Sequence, residues 1–417
     1  MTNRPVVIGL TPNTEKADYV KAFEVLIHLK NWIFGTAVSR VENWFCNYFQ
    51  IKSAITFNAG RSGLLAILKN LNLQPGDEVM LQAFTCVAVP NSVLWADLTP
   101  IYVDVDERLN FDVSQARGKI TSRTKVIIVQ HTFGMSADME GIIAFSRENN
   151  LILIEDCAHA MGARYNGKLL GTFGLAACFS FGRDKIISSV FGGVVITSDN
   201  ELASKLKQYH ESLPNVSKAW VLQQLLHPLI CCVALYFYNT LNLGKIILFL
   251  AQTMGLLSTP IYPQEKKARQ PNIFPQKYPN ALASLALLQL QRLEAFNIKR
   301  ISIAQKYLTN LKNVKNIKLP QVNLGDICLR FNIFVENPDK LREYTHRNKI
   351  ILGSWYSHVI DPHGVDRYKL GYTHRSCPQA EKAAACSINL PTYPMLKNQQ
   401  VDAVCDTLKK YVTTNLN

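Results

Sequence analysis

The stretch KVIIVQHTFGMSADMEGIIAFSRENNLILIED, residues 125–156, contains a complete structural unit. Residues 125–130 are a nearly continuous apolar run of strand length, 139–149 carry apolar side chains at helical spacing, and 151–156 are a second apolar run. Strands that are apolar on both faces must be covered on both faces, and alternation with helices makes the sheet mostly parallel. The same alternation continues on the N-terminal side. A short strand at 54–57 enters a small-residue turn at 58–63 and a helix at 64–71; a strand follows in PGDEVMLQAF, then a helix at 85–95 and a strand at 99–104. Before these, residues 18–50 read as two amphipathic helices broken at Gly35. Beyond the insertion at 218–262, a long helix at 278–296, an alternating strand at 329–335 and a helix at 339–348 form a smaller part. The expected architecture is α/β: a mostly parallel sheet sandwiched by helices, with a smaller α+β C-terminal domain. The boundaries expected are 1–217, 218–262 and 263–417.

In such sheets ligands collect at the carboxyl ends of the strands. Asp156 stands at one of those ends, either as a cap for the following segment or as the partner of a cationic group. His159 would lie one turn on and on the same side, facing a ligand or serving as a hydrogen-bonded core histidine. The turn at 58–63 joins a strand to a helix N-terminus, where free N–H groups and the helix dipole favour an anion. Arg61 and Ser62 would add side-chain donors there; the alternative is a simple tight turn. In FSFGRDKIISSVFGGVV, residues 179–195, Lys185 is either a solvated strand-to-turn lysine or a buried amine beside a phosphate site. Covalent carbonyl chemistry needs the neutral amine, and hence a dry pocket.

Length and composition narrow the class. The 417 residues allow a large core and two domains, and the net charge of +14 suits an anionic partner. The basic residues are scattered and not interleaved with aromatics, which argues against nucleic acid. The ten cysteines show no CxxC pair and no Cys/His cluster, so free thiols and no metal are expected. The N-terminus lacks a signal-peptide apolar core, so the catalytic part is expected in the cytoplasm.

The ordered set of GRSGL at 60–64, GDEV at 76–79, Thr99-Pro100, EDCAHA at 155–160, FSF…K…GG at 179–193 and CPQAEKAAACSINLPTYP at 377–394 resembles the DegT/DnrJ/EryC1/StrS aminotransferases. The resemblance implies a homodimeric, fold-type-I enzyme using pyridoxal 5'-phosphate (PLP). It implies amino transfer from an amino acid, expected to be glutamate, to a keto sugar on a nucleotide or lipid carrier in surface-polysaccharide or glycoconjugate synthesis. It makes Lys185 the cofactor lysine, Asp156 the partner of the ring nitrogen and His159 a neighbour of the ring and its phenolic oxygen. Ser180 and the Arg61-Ser62 turn would hold the phosphate. The chain departs from the family pattern at Gly182 (usually histidine), Phe191 (usually glutamate) and Cys86 (usually an aromatic over the ring), leaving Phe84 or the Cys86 thiol to cover that face. The family's cross-dimer asparagine and arginine fall near Pro275 and Lys277, with Asn280 as a substitute. Trp355, Tyr356 and His358 would line the substrate mouth or pack an edge strand, and Arg330 is either an anion partner or a surface residue. Two other readings are a dehydratase or lyase on the same fold and a non-catalytic membrane-associated scaffold.

Residues 220–257 carry Lys245 as their only charge. The runs either side of residues 242–245 are short for two full spans. A helical hairpin lying in one leaflet or at the inner face of the cytoplasmic membrane is expected, with Lys218 and the 266–269 basic cluster near headgroups; a buried interface hairpin is the alternative.

Overall fold

A computed structural model describes residues 6–10, 13–238 and 240–414. Seven strands, β1 (Ser53–Phe57), β2 (Glu78–Gln82), β3 (Thr99–Val103), β4 (Thr124–Gln130), β5 (Ile152–Asp156), β6 (Ala176–Ser180) and β7 (Gly193–Thr197), form one sheet in the order β1-β7-β6-β5-β4-β2-β3. Only β7 runs against its neighbours, antiparallel to both β6 and β1. Helices α1 (Lys16–Ile27), α2 (Ala37–Phe49), α3 (Gly60–Lys69), α4 (Ala88–Leu94), α5 (Val113–Arg117), α6 (Met139–Glu148) and α7 (Asn200–Ser212) belong to this part of the chain.

Because side chains alternate across a strand, each strand feeds two cores. Ile127, Val129, Leu153, Ala177 and Phe179 pack in one layer with Phe45 and Phe49 of α2 and Phe145 of α6. Val126, Ile128, Ile154, Ala176 and Cys178 pack in the other with Leu64, Ile67 and Leu68 of α3. The continuous apolar runs are therefore buried on both faces.

Next come α8 (Lys218–Tyr236) and α9 (Leu243–Thr253), packed together as a hairpin, then α10 (Asn280–Leu290), α11 (Leu293–Leu311), α12 (Pro338–Arg347), α13 (Pro378–Cys386) and α14 (Asn398–Thr414). The smaller C-terminal part has its own core, in which Tyr307 and Leu311 of α11 and Val404 and Leu408 of α14 enclose the antiparallel pair β8 (Phe331–Phe334) and β9 (Ser387–Leu390).

Three elements differ from expectation. The helix expected at 64–71 starts at Gly60, so residues 60–63 of the expected turn form its first turn. The helix expected at 85–95 starts at Ala88, because Thr85 and Cys86 pair in parallel with Ile360 and Asp361 from the C-terminal part. The helix expected at 278–296 is broken between α10 and α11. Arg292 at the break donates to Asp18 at 2.6 Å, pinning it to α1, so α10 packs on α2 while α11 runs on to α14.

Candidate active site

The carboxyl end of β5 places Asp156 in a cavity of ≈ 350 Å³. Lys185, His159, Ser180, Arg61 and Cys86 line the same cavity, with Trp355 and Tyr356 contributed by the C-terminal part. The Ala158 N–H donates to Asp156 Oδ1 at 3.0 Å. Burial raises the Asp156 pKa, against the pull of that hydrogen bond and of Lys185.

Lys185 leaves the loop after β6. Asn13 Nδ2 donates to the Lys185 carbonyl at 2.6 Å and to that of Ile186 at 3.0 Å, fixing the backbone. Lys185 Nζ lies 4.9 Å from the centre of the Trp355 ring. Burial lowers its pKa, although Cys86 and Asp156 favour the charged form. The cost of desolvating an ammonium exceeds the attraction of two groups that are themselves buried, so the neutral amine is reached at a lower pH than for an ordinary lysine.

His159 Nδ1 accepts the Phe133 N–H at 3.3 Å, which leaves Nε2 as the N–H of the neutral ring, 3.4 Å from the Tyr356 hydroxyl. The rings of Phe133 and Trp355 lie nearly parallel to the imidazole, at 11° and 21°. Burial, with Lys185 and Arg330 nearby, holds its pKa well below the usual histidine value.

The third side is built by close backbone approach. A Cβ on Gly60 would lie 3.0 Å from Ser180 Cβ, and one on Gly193 would lie 2.5 Å from the Gly60 nitrogen, so the end of β6, the start of β7 and the first turn of α3 converge. No side chain caps α3. Its first N–H groups are therefore available beside Ser180, as an anion requires.

Several expected contacts are absent or changed. Ser62 does not line the cavity: it is buried, and its Oγ donates to Asn58 Oδ1 at 2.8 Å, tightening the turn from behind. The Arg61 guanidinium is turned toward the segment after the hairpin, where it pairs with the buried Glu265, donates to the Pro260 carbonyl at 2.8 Å and lies over the Phe274 ring. A carboxylate therefore already neutralises the side chain expected to meet phosphate. Phe84 is in the core, edge-on to Phe133 and Tyr356, and Cys86 is the one of the pair on the cavity wall. Asn280 is spent within its own chain, accepting from Ala37 N–H at 2.8 Å and donating to the Asn31 carbonyl at 2.7 Å. His358 is off the cavity against His363, and Arg330 is buried, donating to the Ile8 carbonyl at 2.7 Å.

The two departures nearest Lys185 have different physical settings. A Cβ at Gly182 would meet Lys185 Cγ and Ser180 Oγ at 3.5 Å, ordinary contact, so packing does not require glycine there. Phe191 lines the cavity and packs edge-on against Trp220 of α8 at 5.4 Å, so it receives the root of the hairpin. Asp361 and Arg183 also line the cavity and carried no local signal. Asp361 arrives by strand pairing beside Cys86, and burial raises its pKa to about 6. Lys266, expected near headgroups, sits on the cavity wall and donates to the His363 carbonyl at 2.9 Å.

Among the described residues, His131, Glu155 and Cys157 have metal-ligand proximity. Glu155 already accepts N–H groups from Gly171, Phe173 and Gly174 at 2.7–2.9 Å, and His131 Nδ1 accepts that of Ala137 at 3.2 Å. That chemistry is a hydrogen-bonded brace under the site.

An amine facing the cavity with a lowered pKa, a buried carboxylate at a strand end and an uncapped helix N-terminus beside a serine fit the carbonyl, ring nitrogen and phosphate of PLP. With this sheet, they define a PLP-dependent transferase of fold type I. The sequence profile of the DegT/DnrJ/EryC1/StrS aminotransferase family matches residues 13–220 and 265–409, and the chain belongs to that family. It is therefore a PLP-dependent aminotransferase. It is 29% identical to a UDP-N-acetyl-3-dehydro-alpha-D-glucosamine 3-aminotransferase of Acidithiobacillus ferrooxidans, over 84% of this chain and 82% of the relative. It is 26% identical to the GDP-perosamine synthase of Escherichia coli O157:H7, over 90% of each chain. NtdA of Bacillus subtilis, solved with bound cofactor PMP, shares the fold with a TM-score of 0.75 and 20% identity over 99% of this chain and 86% of that one.

Proposed function

We propose that this enzyme moves an amino group from an amino acid, with glutamate the expected donor, to a keto sugar on a nucleotide or lipid carrier, for surface-polysaccharide or glycoconjugate synthesis. The observation that carries the reading is the convergence of Lys185, Asp156, Ser180 and the α3 N-terminus on one cavity. Lys185 would hold the cofactor carbonyl until the incoming donor amine displaces it, and its freed Nζ would then take a proton from the donor carbon and return it one position along. Asp156 would keep the ring nitrogen protonated, and the neutral His159, fixed by the Phe133 N–H, would donate from Nε2 toward the phenolic oxygen. Ser180 Oγ and the first N–H groups of α3 would hold the phosphate. Bound PLP supplies the electron sink for the carbanion. Cys86, Trp355 and Tyr356 complete the walls.

The site is expected to work in a homodimer in the cytoplasm, and the hairpin of residues 220–257 is expected to touch the inner membrane face. The relatives act on sugar nucleotides by name, which favours a nucleotide-linked keto sugar as the first panel to assay. Glutamate added to the purified holoenzyme should shift the cofactor absorbance and release the keto acid in equal amount. Turnover of a substrate with no such stoichiometric keto acid would instead favour a dehydratase or lyase.

A further inference from the structure

Exposed large apolar side chains are concentrated on one part of this molecule. Among the described residues, all but Ile298, Leu324 and Tyr368 fall within the intervals 20–34 and 222–256. Val20, Phe23 and Ile27 share one face of α1, and α1 packs along α8, so the two intervals form one surface. Its most exposed residues are Leu241 (85%) and Met254 (70%) on the hairpin and Phe34 (70%) after α1. On α9 only Gly244 and Ala251 are buried.

Three features point to what covers this face. Residues 218–257 contain no aspartate or glutamate, whereas Lys218, Lys245 and Lys30 are exposed along it. A second copy would meet those lysines with its own, with no acid in the hairpin to receive them and with the exposed Glu24 of α1 already paired with Lys21 at 3.1 Å, whereas anionic headgroups complement them. The family match skips 221–264, so the hairpin is not part of what the family shares. Finally, α8 is apolar enough to cross a membrane, yet Trp220, Val221, Leu225 and Pro228 are buried against the protein. A helix anchored along one side lies in the interface and does not span it.

We propose that α1 and the α8–α9 hairpin together form a platform that seats on an anionic phospholipid monolayer. This rests on the membrane reading of the hairpin given above and extends it to the N-terminal helix. Pro260 and Ile261, on the exit from the hairpin, line the active-site cavity. The platform is thus joined directly to the catalytic wall.

Flotation of the purified holoenzyme with phosphatidylcholine vesicles, with and without phosphatidylglycerol, tests this. Wild type should float with the anionic vesicles and lose partitioning in high salt. The variant Val20→Ser/Phe23→Ser/Ile27→Ser and the variant Phe249→Ser/Leu250→Ser should each lower partitioning about tenfold or more. Lys245→Gln should lower it about fivefold, and Ile298→Ser, an exposed apolar position elsewhere, should leave it unchanged. If the α1 variant floats like wild type while the hairpin variant does not, the extension to α1 is wrong and the hairpin reading survives. If wild type does not float, both fail. If the α1 variant converts a dimer to a monomer in light scattering, the face is a self-association surface and the proposal is overturned. Amino transfer assayed without vesicles on the same preparations reports separately on the catalytic reading.

Discussion

Lys185 bears the largest demand at the residue scale, because its amine must be neutral inside a wall that also holds Asp156. Lys185→Ala should lose the lysine-dependent cofactor absorbance and about 10³-fold or more of the amino-transfer rate; a variant that keeps both would remove Lys185 from the proposal. Its depressed pKa also predicts a linkage effect in the cofactor-free protein. Between the folded value and the ordinary lysine value the unfolded chain binds more protons, so this site's contribution to stability rises with pH. Lys185→Met should therefore raise Tm at pH 7, with the gain shrinking as pH approaches 10. A gain that grows with pH would reverse the assigned shift. Local sequence left the lysine's environment open. The resemblance named its task, but its desolvation depends on Asn13, Trp355 and Asp156, which no local pattern brings together.

At the element scale, the site depends on β7 lying almost against the first turn of α3. Gly193→Ala puts a methyl 2.5 Å from the Gly60 nitrogen, which is backbone and yields only by moving the helix. A stability loss of about 1–3 kcal/mol and weaker cofactor retention in equilibrium dialysis are expected; unchanged retention would mean that the cradle is less rigid than its geometry. The Arg61–Glu265 pair joins the same turn to the segment after the hairpin. Removing the buried carboxylate in Glu265→Ala should cost about 3–5 kcal/mol by denaturant unfolding, because Arg61 is left largely buried without a counter-charge. The strands were legible from apolar runs, since burial on both faces leaves that pattern. The start of α4 at Ala88 and the break at Arg292 were not, because each is set by a distant partner, Ile360–Asp361 in one case and Asp18 in the other.

For the whole molecule, three histidines withdrawn from water weaken the fold in acid, while Asp361, raised to about 6, takes its proton in the fold first and offsets part of that loss below this pH. His159, His210 and His227 are held neutral by burial, with His210 lowered to about 4. As pH falls below about 6.5, the unfolded chain takes up protons that the fold refuses, so stability declines from there down through the His210 value. Tm measured from pH 7 to pH 4.5 should fall steadily, and His210→Gln should flatten part of the slope; a flat wild-type profile would contradict the assigned burial.

The sequence by itself determined the sheet, the order of the motifs, the family and the identity of Lys185, Asp156 and Ser180 as candidates. The sheet is written in local periodicity, and the family and the candidate residues in the resemblance of the ordered motifs. Only the tertiary structure decided how their surroundings are used. Ser62 faces Asn58, Arg61 is taken by Glu265, Phe84 is in the core while Trp355 and Asp361 reach the cavity, and α1 joins the hairpin in one apolar face. Each of those outcomes depends on a contact between residues far apart in the chain, where no local spacing records which partner wins the burial.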